Sequence, residues 1–104
     1  MIFRSPYPDV AISDLALTPL VLQRAEEHAA KPALIDASSD RVLTYGELAR
    51  EVKNVATGLV HHGMRKGDVI GIYSHKSIEY AITLLAVASF GGIATTVNPL
   101  ATAD

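Results

Sequence analysis

The run from Ile78 to Phe90 constrains this chain most, because it is a helix-length stretch without a polar face. Ser77 is placed to cap it and Gly91-Gly92 to end it. Between them, Ala81, Ile82, Leu84, Leu85, Ala86, Val87, Ala88 and Phe90 leave almost no side for water. β-prone runs flank it, Val69-Ile70-Gly71-Ile72-Tyr73-Ser74 before and Ile93-Ala94-Thr95-Thr96-Val97 after. Strand, helix and strand in that order make a βαβ unit, so the strands should be parallel and joined by a right-handed crossover. A helix apolar all round needs cover on several sides, and parallel sheets are normally layered on both faces. Two strands and two neighbouring helices are too few to supply it. The chain is therefore expected to be α/β, with apolar faces meant for other structure.

The segments upstream read in order. Residues 1–17 are interrupted by Pro6 and Pro8 and show little periodicity, which indicates an extended arm. Thr18-Pro19 is a helix start, with Thr18 as cap and Pro19 at the first helical position. An apolar stripe at Leu20, Val21, Ala25 and Ala29 follows, and Lys31-Pro32 ends the helix. Ala33–Ala37 and Arg41–Thr44 form a hairpin around Ser38-Ser39-Asp40.

Thr44-Tyr45-Gly46-Glu47 then carries the pattern of a capping box, in which Thr44 and Glu47 each satisfy a backbone N–H of the other. The helix it opens places Leu48, Val52, Val55, Ala56, Leu59 and Val60 on one face, and Gly63 closes it. Gly58 lies mid-helix at a cost of about 1 kcal/mol against alanine, which a closely approaching backbone would explain. Lys66-Gly67-Asp68 makes a turn into the first strand of the βαβ unit.

Charge and composition exclude several function classes. The formal net charge of −2 argues against nucleic-acid binding driven by phosphate neutralisation. With no cysteine there is no disulfide and no thiolate metal site. The proline at position 6 interrupts any secretory leader, and the apolar stretch Ala81–Ala88 is far short of a membrane span. A cytoplasmic chain without nucleic-acid or membrane partners is expected.

Candidate chemistry is sparse. His28, His61 and His62 stand near helix C-termini, where a cation favours the helix dipole. His75 differs, because Ser74-His75-Lys76-Ser77 is the loop at the C-terminal end of a parallel strand, and Asn98 leaves the next strand at the same edge. Ligands of open α/β sheets gather there, so His75 and Asn98 are the ligand-edge candidates, without a nucleophile, metal set or carboxylate pair beside them. Gly91-Gly92 stands between a helix and a strand, the wrong order for a phosphate loop. Catalytic, cofactor-binding and metal-ligating residues are thus expected to be absent.

The last residues, from Asn98-Pro99 to Thr102-Ala103-Asp104, read as a strand exit, a turn and the start of another helix capped by Thr102. This leads to the expectation of an N-terminal piece of something larger.

In this order the motifs resemble a known family. Arg4-Ser5-Pro6 with Pro8-Asp9-Val10, Leu43-Thr44-Tyr45-Gly46-Glu47-Leu48, Lys66-Gly67-Asp68-Val69, Gly91-Gly92 and Asn98-Pro99 look like the start of a 4-coumarate–CoA ligase-type enzyme of the adenylate-forming superfamily. The segment around Thr44, Tyr45, Glu47 and Leu48 resembles the family's first core motif, and Ala88 to Pro99 its second. Only the Arg-Ser-Pro-x-Pro-Asp arm bears on whether the kin are coumarate-type or medium-chain acyl ligases.

The resemblance implies a reaction in two halves. A carboxylate and ATP, with Mg²⁺, give an acyl-adenylate, and the thiol of coenzyme A then displaces AMP. The phosphate loop, the ribose carboxylate and the mobile lysine of the family match no position here. Residues 18–104 are thus expected to be a partial N-terminal α/β domain that ends before the phosphate-binding loop, inactive alone. Its partners would be the remainder of a ligase chain or a second copy. The alternative is a free-standing α/β interaction module.

Overall fold

The computed structural model describes residues 1–100, so the helix start at Thr102 lies outside the described residues. Seven elements follow in order: α1 Leu17–Leu22, β1 Pro32–Asp36, β2 Arg41–Thr44, α2 Tyr45–His61, β3 Val69–Tyr73, α3 Ile78–Ser89 and β4 Ile93–Val97. Residues 1–16 form no helix or strand and are exposed throughout.

The two ends of α2 follow from local chemistry. Thr44 Oγ1 accepts the Glu47 N–H at 3.2 Å, while Glu47 Oε2 accepts the Thr44 N–H at 2.9 Å. At the far end Gly63 takes φ +98°, and the N–H groups of Gly63 and Met64 reach back to the carbonyls of Val60 and Leu59. That pair of bonds is a Schellman closure. The helix α3 ends in the same way: Gly91 at φ +80° donates to Ala88, and Gly92 donates to Val87.

The strands pair as the patterns indicate. β1 and β2 are antiparallel, with Ile35 opposite Val42 and Asp36 opposite Arg41. β3 and β4 are parallel in register, Val69 opposite Ile93 through Tyr73 opposite Val97. The loops at the start of these strands lace together, since Gly67 N–H donates to Gly91 O at 2.9 Å and Ile93 N–H to Asp68 O at 2.8 Å. The principal core lies between the hairpin, α2 and α3, where Leu43, Leu48, Val52, Ile78, Ile82 and Ala86 are buried together.

Several expectations are corrected. Thr18 is no cap: Ala16 holds that position, and Thr18 sits inside α1 with its Oγ1 donating 2.7 Å to the Leu85 carbonyl of α3. A buried hydroxyl must find a partner, and this tertiary bond supplies it. α1 also stops at Leu22 and continues as turns, several closed by tighter bonds such as Ala25 N–H to Leu22 O and Lys31 N–H to His28 O. Its inward residues are Thr18, Leu22 and Ala25 at helical spacing, whereas Leu20, Val21 and Ala29 face out. On α2, Val60 is half exposed, and no described atom outside the helix's own neighbouring backbone comes within 4 Å of a Cβ built on Gly58.

The last correction concerns the apolar face. In α3 only Glu79 and Ser89 are exposed, so that helix is covered within the chain, by the hairpin, α1, α2 and the β3–β4 pair. Solvent instead reaches the outer face of the parallel pair, where Val69 is 63%, Tyr73 69%, Ile93 53% and Val97 46% exposed.

Candidate functional site

At the C-terminal edge of the parallel strands the chain builds an open cavity of about 350 Å³, lined by Ser74, His75, Lys76, Tyr80, Asn98 and Pro99 among others. Parallel pairing is what creates it, because both strands exit at the same end. The loop 74–77 runs from β3 into α3, whose first turn is closed by Ser77 Oγ accepting the Tyr80 N–H at 3.2 Å. His75 and Asn98 therefore line one cavity, as their sequence positions indicate.

The polar groups at this edge are largely committed to the backbone. Asn98 Oδ1 accepts the Leu100 N–H at 3.0 Å, and Ser74 Oγ–H donates 2.9 Å to the His75 carbonyl. Tyr73 Oη–H reaches the Pro99 carbonyl at a long 3.4 Å. His75 and Lys76 are exposed, and Lys76 forms no ion pair among the described residues. A second open cavity of about 300 Å³, between the end of β1 and the start of α3, shares Lys76 and adds Asp36. This edge holds one exposed cation, Lys76, and no nucleophile–base pair. Among the described residues no group of three His, Cys, Asp or Glu could hold a metal ion.

The motif residues occupy three separate places. Thr44, Tyr45, Glu47 and Leu48 lie at the start of α2: Tyr45 N–H donates to Lys31 O at 3.0 Å, and Leu48 is buried in the core. Gly91 and Gly92 lie at the opposite end of the sheet from His75. A Cβ on Gly91 would fall 2.8 Å from Lys66 Cγ, and one on Gly92 2.9 Å from Val87 Cγ1. Asn98 and Pro99 stand alone of this set in the cavity.

One residue the sequence reading missed is Gly46. Its N–H donates to Ala29 O at 3.0 Å, and a Cβ there would sit 3.2 Å from the same oxygen. A glycine inside the first turn of a capped helix was the available signal, since the capping box itself makes no demand for it.

Two ion pairs lie outside the cavity. Arg41 of β2 bonds Glu79 of α3 and ties the hairpin to the helix start. The Arg41 hydrogen bond holds the Glu79 carboxyl below the usual carboxylate range. Arg24 does the same to Glu27 at 2.9 Å, also on the surface.

Residues 21–104 match the AMP-binding enzyme family. The chain belongs to that family. It is 40% identical over 101 residues to the 4-coumarate–CoA ligase-like 1 protein of Arabidopsis thaliana, a match covering 96% of this chain and 19% of that protein. It is 48% identical over 86 residues to a probable CoA ligase, CCL5, of Humulus lupulus, covering 83% of this chain and 15% of the relative. Among solved structures it superposes on the NpsA N-terminal subdomain of Klebsiella oxytoca with a TM-score of 0.75 at 28% identity, over 85% of this chain and 23% of that one. The chain thus spans about a fifth of the length of the curated relatives it matches.

Within that family frame, the glycine pair offers no nucleotide cradle. Both N–H groups are spent on the carbonyls that close α3, and neither is free to meet a phosphate. The glycine pair is therefore no seat for a nucleotide phosphate, and no step of the ligase reaction is assigned to it.

Proposed function

We propose that this chain is the N-terminal scaffold segment of an ATP-dependent acyl- or aryl-CoA ligase and is inactive by itself. The observation that carries this reading is that the family's motif residues are consumed by structure. Thr44 and Glu47 cap a helix, Gly91 and Gly92 close another, and Leu48 fills the core. The ATP, Mg²⁺ and coenzyme A of the family reaction would then be bound by the remaining four-fifths of a full-length enzyme in the cytoplasm. ATP–pyrophosphate exchange tests the proposal, with hydroxycinnamic and medium-chain carboxylates supplied in turn. No exchange is expected from the 104-residue chain with any acid, and exchange above background would overturn the scaffold reading.

A second reading is favoured by the exposed Val69, Tyr73, Ile93 and Val97 on one sheet face. It is a free-standing module that covers this face by self-association. Light scattering on a size-exclusion peak separates the two. A stable dimer at micromolar concentration supports the module, and a monomer supports the scaffold.

A further inference from the structure

Among the sequence motifs, Arg4-Ser5-Pro6-Tyr7-Pro8-Asp9 is the one that neither the fold nor the scaffold reading absorbs. It lies in the arm of residues 1–16, which is exposed throughout and forms no helix or strand. The turn it makes is its own. Ser5 Oγ accepts the Tyr7 N–H at 3.1 Å, and the hydroxyl proton of Ser5 has no acceptor among the described residues. Arg4 beside it forms no ion pair among those residues.

Ser5-Pro6 is also one of two places where a hydroxyl residue precedes a proline, the other being Thr18-Pro19. The structure separates them. Thr18 is 5% exposed inside α1, and its Oγ1–H is spent on the Leu85 carbonyl at 2.7 Å. A protein kinase must hold its substrate chain in a cleft with the acceptor hydroxyl positioned on the γ-phosphate of ATP. Thr18 cannot be presented in that way without unclamping α1 from α3, whereas Ser5 can, because no packing has to be broken. The proline after Ser5 has no N–H to satisfy and a fixed φ, so a kinase with an apolar shelf beyond the acceptor site selects it.

We propose that Ser5 is a phosphorylation site for a proline-directed serine/threonine kinase, which supplies ATP and Mg²⁺. The proposal goes beyond the scaffold reading and asks no activity of this chain. Ser5 Oγ attacks the γ-phosphorus of ATP, and the new O–P bond forms as the bond from that phosphorus to the β,γ-bridging oxygen breaks. ADP leaves with that electron pair, and the hydroxyl proton passes to the catalytic aspartate of the kinase. The phosphate brings a charge of about −1.5 to −2 and three acceptor oxygens. Arg4 and Asp9 balance each other in the unmodified stretch, so the modification turns it anionic.

The test incubates the folded 104-residue chain with an activated mitogen-activated protein kinase and γ-labelled ATP, and locates the label by peptide mapping. One phosphate is expected on Ser5 and none on Thr18. Ser13 is the control within the arm: it is also exposed and its Oγ accepts the Leu15 N–H at 3.1 Å, but Asp14 follows it instead of a proline. Ser5→Ala should abolish the label, and Pro6→Ala should remove most of it although the hydroxyl stays. Neither position belongs to the buried core, so loss of label is not loss of fold. An unlabelled Ser5 overturns the proposal, as does labelling of Thr18 or Ser13 at the rate of Ser5. Undiminished labelling of Pro6→Ala overturns it too, because the proline would then select nothing.

Discussion

Thr44 shows what a single side chain does in this chain. It accepts the Glu47 N–H and receives Glu47's carboxylate at its own N–H, so two of the free donors at the start of α2 are satisfied within four residues. Thr44→Ala should cost about 1 kcal/mol of stability, read as a lower urea midpoint with an unchanged slope. Glu79 makes a different kind of prediction. Its carboxyl titrates below the ordinary value because Arg41 bonds the ionised form, so the pair adds stability above that value, lost as pH falls through the folded pKa. Arg41→Met should therefore make the acid limb of a melting-temperature profile shallower below the ordinary glutamate pKa, with little change in slope at neutral pH. The two features differ in what sequence spacing shows. The capping box was legible because its partners are three residues apart. The Arg41–Glu79 pair was not, because 38 residues separate its members and only the packed hairpin brings them together.

At the scale of elements, legibility follows how local the deciding contacts are. The βαβ order, the parallel strands and the glycine ends of α2 and α3 could be read because each depends on neighbours in sequence. The phase of α1 could not. Its run from Leu15 to Leu22 is apolar nearly throughout, so several faces compete, and the choice falls to Thr18, whose hydroxyl finds the Leu85 carbonyl 67 residues away. That bond clamps α1 to α3, with Leu22 half-buried and Ala25 buried beside it. Thr18→Val keeps the shape and removes the donor. It should lower stability by about 1 kcal/mol and raise protease sensitivity within residues 1–30 before the rest of the chain unfolds. Unchanged proteolysis would mean α1 is held by apolar contact alone. The expected join of His75 and Asn98 was legible because parallel strands must exit at one edge, whereas the commitment of Asn98 to the Leu100 N–H depends on a turn after β4.

The whole molecule is more extended than its length requires. Its radius of gyration is 16.6 Å, against about 13 Å for a compact domain of this size, and residues 1–16 before α1 form an exposed arm without helix or strand. Among the described residues no helix is long and apolar enough to cross a membrane. The apolar surface is where the sequence misled most. A helix apolar all round pointed to α3 as the uncovered element, yet α3 is covered and the open face belongs to the strands it packs beneath. Composition measures how much apolar surface exists, not which layer is left bare.

The central claim is that this segment carries the framework of a CoA ligase and none of its chemistry. CoA-thioester formation from 4-coumarate, measured side by side for the isolated chain and for a graft in which this chain replaces the matching segment of Arabidopsis 4-coumarate–CoA ligase 4, tests it most directly. The account predicts thioester from the graft and none from the chain. Thioester made by the chain alone, or a graft that folds and melts like the parent ligase yet makes none, would contradict it.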